Sequence, residues 1–201
     1  SEWIAAENLA SEEKFEAAIE AYDAIARSTD PAAREHATDV HHRLGICYFR
    51  LNRFAEAERE FRAYLNEAPD GPLASEAAYL QFRAAEGIYR AHPTAEARSS
   101  FQATVENFVT RFSDHDSAYE GWFRYAELLQ AGRRYRDAAD AYAKVKGPPL
   151  FEIRAASAEI QSLADALSAP PEDADAAWAA ELRARVRDAY DRFEKLATAN
   201  P

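Results

Sequence analysis

The amino-acid sequence predicts an all-α protein built from consecutive pairs of helices. Alanine, which favours helices most strongly, dominates the apolar residues, whereas the chain has only 6 glycines and few β-branched residues. Aromatic and aliphatic residues recur at spacings of three and four, the period of one face of a helix. Short turn segments separate these stretches, so we expect helix–turn–helix units along the whole chain.

The chain of 201 residues carries a formal net charge of -11 at pH 7. A nucleic-acid-binding protein needs a basic face that displaces counterions from phosphates, so this charge argues against DNA and RNA as partners. The densest basic cluster, Arg133, Arg134 and Arg136, is interpreted as a solvated turn between two helices. The lone cysteine, Cys47, is predicted to be a buried and inert thiol. No apolar run reaches the roughly 20 residues that span a bilayer, so we expect no direct membrane insertion.

The clearest repeat unit lies at residues 38–69. Gly45 is predicted to let two helices approach closely, and Pro69 to end the second helix because proline cannot continue one. Glu56, Glu58 and Glu60 are interpreted as a solvated face of that second helix. Small and large residues alternate through the unit in a regular register: Leu44, Gly45, Tyr48, Phe54, Ala57 and Phe61.

A second strong unit covers residues 117–150. Ser117 and Glu120 have the spacing of a capping box in front of its first helix. The unit then repeats the order of aromatic, small and large residues: Trp122, Tyr125, Ala126, Leu129, Tyr135, Ala138, Tyr142 and Val145.

Three weaker units occupy residues 1–31, 72–113 and 151–200. The third unit along the chain is stretched, with a first helix predicted from about Pro72 to Ala91. The last unit departs most from the pattern, and its first helix is predicted to bury one stripe of residues: Ile153, Ala156, Ile160, Leu163 and Leu167.

This register resembles the tetratricopeptide repeat, a helix–turn–helix unit of about 34 residues. The resemblance covers nearly the whole chain and implies a right-handed superhelical solenoid of about five antiparallel helix pairs in a single domain of residues 1–201. Gly132 lies one place before the turn glycine of the family, which predicts a different turn there. Pro201 lies where the family places a repeat-ending proline, so we expect the array to be part of a longer chain.

In this family, the first helix of each pair lines a concave groove that holds peptides or helices. Carried over by register, the resemblance implies a set of candidate partner-binding residues: Asp39, His42, Phe49, Arg50, Tyr79, Phe82, Glu86, Tyr89, Arg90, Phe123, Glu127 and Gln130. The alternative for Phe49, Phe82 and Phe123 is that they pack between neighbouring repeats. The clamp with which some members bind a terminal carboxylate is not expected, because only Arg83 offers a fixed positive charge at the equivalent positions.

The sequence contains no phosphate-binding glycine loop, nucleophile elbow or paired-histidine zinc motif. His41 and His42 are adjacent, so on a helix their side chains point about 100° apart and do not readily share a metal. We therefore predict a protein that is not an enzyme, with no catalytic, cofactor-binding or metal-binding residue.

The resemblance implies a scaffold that binds a protein or peptide partner in the groove. A narrower alternative is a bacterial cell-envelope protein, of the β-barrel assembly lipoprotein or Tol–Pal coordinator type. It rests on the segments Phe61–Leu65, followed by Pro69, and Phe108–Phe112. A further alternative is a regulatory or self-assembly arm of a larger protein. The sequence leaves open the partner, the oligomeric state and whether the location is the bacterial cytoplasm or the cell envelope.

Overall fold

The computed structural model describes residues 1–200, which form eleven helices with no strand among them. The helices alternate with short turns, as the sequence pattern predicts. In chain order they are α1 (Glu2–Ser11), α2 (Phe15–Arg27), α3 (Pro31–Arg34), α4 (Ala37–Arg50), α5 (Phe54–Glu67), α6 (Ala74–Ala91), α7 (Ala95–Arg111), α8 (Ala118–Ala131), α9 (Tyr135–Tyr142), α10 (Pro149–Ser168) and α11 (Ala176–Ala199).

Within the described residues, ten of these helices form five consecutive pairs at the positions of the predicted repeat units. The remaining helix, α3, is a single turn that the sequence analysis did not predict. Asp30 caps it by accepting a hydrogen bond from the backbone N–H of Ala32 at 3.0 Å, and Pro31 occupies its first position. Both residue types are favoured at the start of a helix.

The chain divides into two compact units, where the sequence analysis predicts a single repeat domain. The first unit covers Ser1–Phe108, and the second begins at Val109. In the first unit α4 packs against α5 and α5 against α6; in the second unit α8 packs against α9, and α9 and α11 pack against α10.

The same turn joins α1 to α2, α4 to α5 and α8 to α9. Glu13, Asn52 and Arg133 take the left-handed conformation there, with φ of 59°, 58° and 59°. In each turn the next residue donates its backbone N–H to a carbonyl five residues earlier, at 2.9 Å, which closes the end of the first helix. Gly132 has a φ of -83°, so Arg133 takes the left-handed position. The expectation of a different turn at this place was wrong.

Glycines set two close approaches between helices in the first unit. A Cβ atom added to Gly45 on α4 would lie 2.7 Å from the ring of Phe61 on α5, and Phe61 is fully buried. A Cβ atom on Gly87 of α6 would lie 2.6 Å from the ring of Phe54. Both distances are shorter than a carbon–carbon contact allows. The close approach predicted at Gly45 is confirmed, whereas the one at Gly87 was not predicted.

Two of the three glutamates predicted to form a solvated face of α5 are buried instead, and the third, Glu56, is half-buried. Glu58 and Glu60 are each 8% exposed. Glu58 accepts hydrogen bonds from Gln81 of α6 at 3.0 Å and from Arg62 at 2.9 Å, and Glu60 lies 2.8 Å from Nδ1 of His41 on α4. These partners explain the burial, because a buried carboxylate needs a donor or a cation beside it.

Ser117 does not form the predicted capping box, because its side chain makes no capping hydrogen bond to α8. Instead its backbone N–H donates to Nδ1 of His115 at 3.0 Å. His115 thus accepts the backbone N–H of Ser117, which a capping box would pair with the Glu120 carboxylate.

The stripe predicted for α10 is wrong in part. Ala156 and Leu163 are buried, but Ile153, Ile160 and Leu167 are only half-buried. The buried face is turned toward smaller and polar residues and consists of Ala155, Ala156, Glu159, Ser162, Leu163 and Ala166. The buried face of α10 therefore contains polar side chains that bond to neighbouring helices. Ser162 donates to Gln130 of α8, and Glu159 accepts from Arg192 of α11.

Candidate partner-binding surfaces

Four of the predicted groove residues lie in the interior. His42 and Phe82 have no exposed surface, and Glu86 and Phe123 are each 5% exposed. The Phe82 ring centre lies 5.2 Å from that of Phe108, on α7. His42, Phe82 and Phe123 therefore do not line an open groove, which corrects the prediction for these three residues. Glu86 is buried as well, but it lines a cleft between α4 and α6.

Phe123 of α8 shows why the register misplaced such residues. Its ring centre lies 5.5 Å from that of Tyr142 on α9 and 5.9 Å from that of Phe151 on α10. The guanidinium of Arg154 lies over its other side, 5.0 Å from the ring centre. Phe123 thus packs between neighbouring repeats, the alternative that the sequence analysis kept open.

Two more predicted residues on α8 hold polar contacts within the second unit. Glu127 forms an ion pair with Arg124 at 2.8 Å, and Gln130 donates to Asp165 of α10 at 2.8 Å. Both side chains are half-buried. Gln130 therefore joins α8 to α10, in addition to any contact with a partner.

The remaining predicted residues lie in the first unit and keep part of their surface in solvent. Arg50 is exposed, forms an ion pair with Glu13 at 3.0 Å and lies over the ring of Phe15. The half-buried residues among them are Asp39, Phe49, Tyr79 and Tyr89, and Arg90 is exposed.

A cleft between α4 and α6 collects several of these residues, and we call it the first-helix cleft. It encloses about 360 Å³ of space and adjoins the start of α5. Phe49 and Phe54 form its apolar floor, with ring centres 5.5 Å apart and the rings edge to face. Its lining consists of Phe49, Phe54, Arg83, Glu86, Gly87, Arg90 and Ala91.

Two arginines and one carboxylate set the charge of the first-helix cleft. Glu86 is buried and lies 2.8 Å from Nη2 of Arg90 and 3.3 Å from Nε of Arg83. The Arg90 side chain remains 66% exposed. Two guanidinium groups beside one carboxylate leave the cleft lining with a net charge of +1, on a chain whose overall charge is strongly negative.

A known repeat family resembles part of this chain in sequence, and solved structures resemble its fold. The tetratricopeptide repeat family matches residues 9–86. This segment holds α2, α4, α5 and most of α6, and thus most of the first-helix cleft. No curated protein sequence matches the chain significantly.

Solved structures resemble the chain over nearly its full length. One crystal structure of MamA protein covers 98% of this chain and 92% of its own, with a TM-score of 0.59 at 12% sequence identity. A second crystal structure of MamA covers 96% of each chain, with a TM-score of 0.56 at 14% identity. At these identities the likeness shows the fold alone. Together with the repeat match, it confirms the predicted all-helical, tetratricopeptide-like fold.

The repeat match supports a protein-interaction scaffold as the class of function. None of these findings confirms the resemblance to envelope proteins. Within residues 1–200, no helix has both the length and the apolar character needed to cross a membrane.

Four residues of the first-helix cleft are absent from the predicted set: Phe54, Arg83, Gly87 and Ala91. The sequence pattern places Arg83 at a carboxylate-clamp position and Phe54 in the repeat register, and it assigns no binding role to Gly87 or Ala91. For Phe54 and Gly87 the signal is a contact between repeats, because Gly87 leaves room for the Phe54 ring from the preceding pair. A register carried over one repeat at a time does not contain such a contact.

His42 is buried without a satisfactory hydrogen bond. Its Nε2 lies 3.3 Å from a carboxylate oxygen of Glu76, yet neither ring nitrogen makes a hydrogen bond of acceptable geometry to any described residue. The edges of Phe61 and Tyr64 surround the imidazole. Burial lowers the pKa of His42 below its ordinary value of 6.5, and the Glu76 carboxylate only partly offsets this effect.

Replacing His42 with leucine should make the protein less sensitive to acid. Because the folded-state pKa lies below the unfolded one, the unfolded chain binds the proton first, and the wild type loses stability as the pH falls below about 6.5. We expect His42→Leu to be at least as stable as the wild type at pH 8. Its advantage should grow by about 1 kcal/mol at pH 5, measured by urea unfolding.

His41 provides the internal reference for this measurement. The hydrogen bond to Glu60 raises the pKa of His41, so its contribution has the opposite sign, is present at low pH and is lost as the pH rises. It is retained in both proteins and cancels in their difference. An equal difference in the free energy of unfolding at pH 5 and pH 8 would contradict the prediction.

Proposed function

We propose that this protein is a non-enzymatic scaffold that holds a peptide or a helix of a partner protein in the first-helix cleft. The observation that carries this proposal is the combination of an apolar floor, Phe49 and Phe54, with a rim of Arg83 and Arg90. Aromatic residues and arginine are the types that dominate binding energy in protein interfaces.

The charge of the first-helix cleft specifies the partner further. Its lining carries a net charge of +1, whereas the whole chain carries -11. The negative charge of the chain repels an acidic partner, whereas the positive lining of the cleft attracts it. The electrostatic field of the protein therefore favours an approach in which the acidic segment faces the cleft. The favoured segment therefore combines an apolar side chain, which covers the two phenylalanine rings, with a carboxylate that reaches Arg90.

Photocrosslinking from inside the cleft tests this proposal. Ala91 lines the cleft and is exposed, so a benzoylphenylalanine at this position should form a discrete adduct with the partner in cells that make the protein. Ala55 is exposed on α5 and serves as the matched control position. The combined change Phe49→Ala and Arg90→Ala should reduce the adduct at least about tenfold, because it removes both the floor and the exposed cation.

Two results would contradict the cleft as the binding site. One is an adduct that forms as strongly from Ala55 as from Ala91. The other is an adduct that persists after the change at Phe49 and Arg90 while circular dichroism shows an intact fold. Phe82 is unsuitable for this test, since it is buried and its loss would change the fold itself.

The narrower envelope assignment stays a prediction. Three residues of the first segment that suggested it, Phe61, Tyr64 and Leu65, are at most 9% exposed. Phe61 packs on Gly45, and the Tyr64 hydroxyl accepts a hydrogen bond from the backbone N–H of Leu73 at 3.2 Å. Packing of the repeat accounts for this motif, so it carries no separate information about cellular location.

A further inference from the structure

A second cavity lies in the unit that begins at Val109, where the α8–α9 turn faces the connection from α10 to α11. It encloses about 300 Å³ of space. We call it the arginine–tryptophan pocket. Its walls and rim are formed chiefly by Arg133, Arg134, Tyr135, Arg136, Pro171 and Trp178.

The apolar walls of this pocket are fixed by the core of the unit. Tyr135 and Trp178 both pack against the buried cluster that contains Leu163 and Leu182. The backbone N–H of Trp178 also donates to the side chain of Asp175 at 2.8 Å, which caps α11. A ligand therefore meets rings that are already in place, which reduces the entropy lost on binding.

The three arginines differ in how their charge is neutralised. Arg134 forms an ion pair with Asp137 at 2.7 Å, and Arg136 forms one with Glu181 at 2.7 Å. Within residues 1–200, Arg133 has no ion-pair partner. Arg133 also sits at the left-handed position of the turn, which fixes where its side chain leaves the backbone. One guanidinium thus remains for an external anion.

We propose that the arginine–tryptophan pocket binds an acidic peptide segment of a partner, which presents one carboxylate beside an apolar side chain. The carboxylate pairs with Arg133, whose guanidinium can bond both of its oxygens. The apolar side chain covers Tyr135, Trp178 and Pro171, since aromatic rings supply a large apolar contact area. This site uses residues outside the first-helix cleft, so the proposal stands independently of the proposed function.

The charge count favours a peptide over nucleic acid. One unpaired guanidinium matches a single carboxylate, whereas a phosphate backbone needs several cations in a row to release its counterions. The strong negative charge of the chain adds to this argument. The cluster that the sequence analysis interpreted as a solvated turn thus borders a cavity with aromatic walls.

Fluorine NMR on protein labelled with 5-fluorotryptophan tests the pocket directly. The chain has 3 tryptophans, and Trp178→Phe assigns the resonance of the pocket. The probe is an acetylated and amidated heptapeptide with a central aspartate, leucine and phenylalanine. We expect the Trp178 resonance to shift saturably, and a matched peptide with asparagine in place of aspartate to bind about tenfold more weakly.

Variants at Arg133 separate its charge from its role in the turn. Arg133→Asn removes the charge but keeps a residue that tolerates the left-handed conformation, and it should weaken binding about tenfold. Arg133→Lys keeps the charge, and its affinity for the peptide should lie between those of the wild type and Arg133→Asn. Arg187→Asn removes an equal charge from an exposed position of α11 and should bind as the wild type does.

Three results would overturn the proposal. The first is a Trp178 resonance that does not move at millimolar peptide. The second is equal binding by the Arg133→Asn and Arg187→Asn proteins, both with unchanged circular dichroism. The third is a saturable shift of Trp178 caused by a single-stranded oligouridine in place of the peptide.

Discussion

Replacing Phe82 with alanine is expected to lower the free energy of unfolding by about 3–5 kcal/mol. Phe82 has no exposed surface, and its ring centre lies 5.2 Å from that of Phe108 and 5.3 Å from that of Tyr79. Alanine would remove most of these contacts and leave a cavity between α6 and α7. Phe82 was predicted as a partner-binding residue, so this variant tests the correction directly.

Urea unfolding followed by far-ultraviolet circular dichroism provides the measurement. Phe49→Ala is the matched control, because Phe49 is also a predicted groove phenylalanine but is only half-buried in the first-helix cleft. We expect the control to lose at most about half as much stability, because Phe49 buries less apolar surface on folding than Phe82 does. If Phe82→Ala unfolds within about 1 kcal/mol of the wild type, Phe82 is not the core residue that the structure indicates.

The order of helices and turns could be predicted because it depends on local properties of the sequence. The aromatic residue two places after Asn52 and after Arg133 marks the start of the next helix, and both turns close in the same way. Gly45 could be predicted as a close contact because its partner, Phe61, lies within the same repeat unit. The single turn α3 was missed since it lies between two repeat units.

The candidate site could be predicted only to the level of the helices that carry it. On a helix, one residue step turns the side chain by about 100°. A register that is wrong by a single residue therefore assigns interior residues to the surface and surface residues to the interior. His42 and Phe82 fell on the interior side, whereas Phe49 and Arg90 kept exposed surface. The cleft itself depends on Gly87 receiving Phe54 from the preceding pair, which is a contact between repeats.

Buried charges were the other feature that sequence reasoning could not place. Glutamate is rarely buried unless a partner stands beside it, and the partners here lie on other helices or several residues away. Glu86 is paired with Arg83 and Arg90, and Glu159 of α10 is paired with Arg192 of α11. The sequence marks neither glutamate as buried, and the Arg192 partner of Glu159 is identified only by the packing of α11 on α10.

Replacing Arg192 with methionine is therefore expected to destabilise the second unit by about 3 kcal/mol at pH 7. Glu159 is 4% exposed, and its carboxylate accepts a hydrogen bond from the Arg192 guanidinium. Burial raises the pKa of Glu159 even with this partner present, which shows how poorly the site solvates a charge. Methionine keeps the length of the side chain but removes the cation that donates to the carboxylate, so that only the more distant charges of Arg185 and Lys146 remain. Because Arg192 is 35% exposed and water can reach part of the site, we take the lower end of the usual range.

The pH dependence identifies the cause of this loss. Without Arg192, the pKa of Glu159 rises further above its unfolded value, and the ionised form becomes the unfavourable one in the folded state. The destabilisation should therefore be largest at pH 8 and shrink as the pH falls and Glu159 takes up a proton in the folded protein. Chemical unfolding at pH 5 and pH 8 measures this difference.

Two further variants decide between a lost ion pair and lost packing. The double change Glu159→Leu and Arg192→Met removes both charges and should restore stability to within about 1 kcal/mol of the wild type, since an apolar pair of similar size often replaces a buried ion pair. Arg187→Met, on the exposed face of α11, should change stability by no more than about 0.5 kcal/mol. If the double variant is as unstable as Arg192→Met alone, the stability lost in Arg192→Met comes from the apolar contacts of the Arg192 side chain. In that case an unpaired charge on Glu159 does not cause the loss.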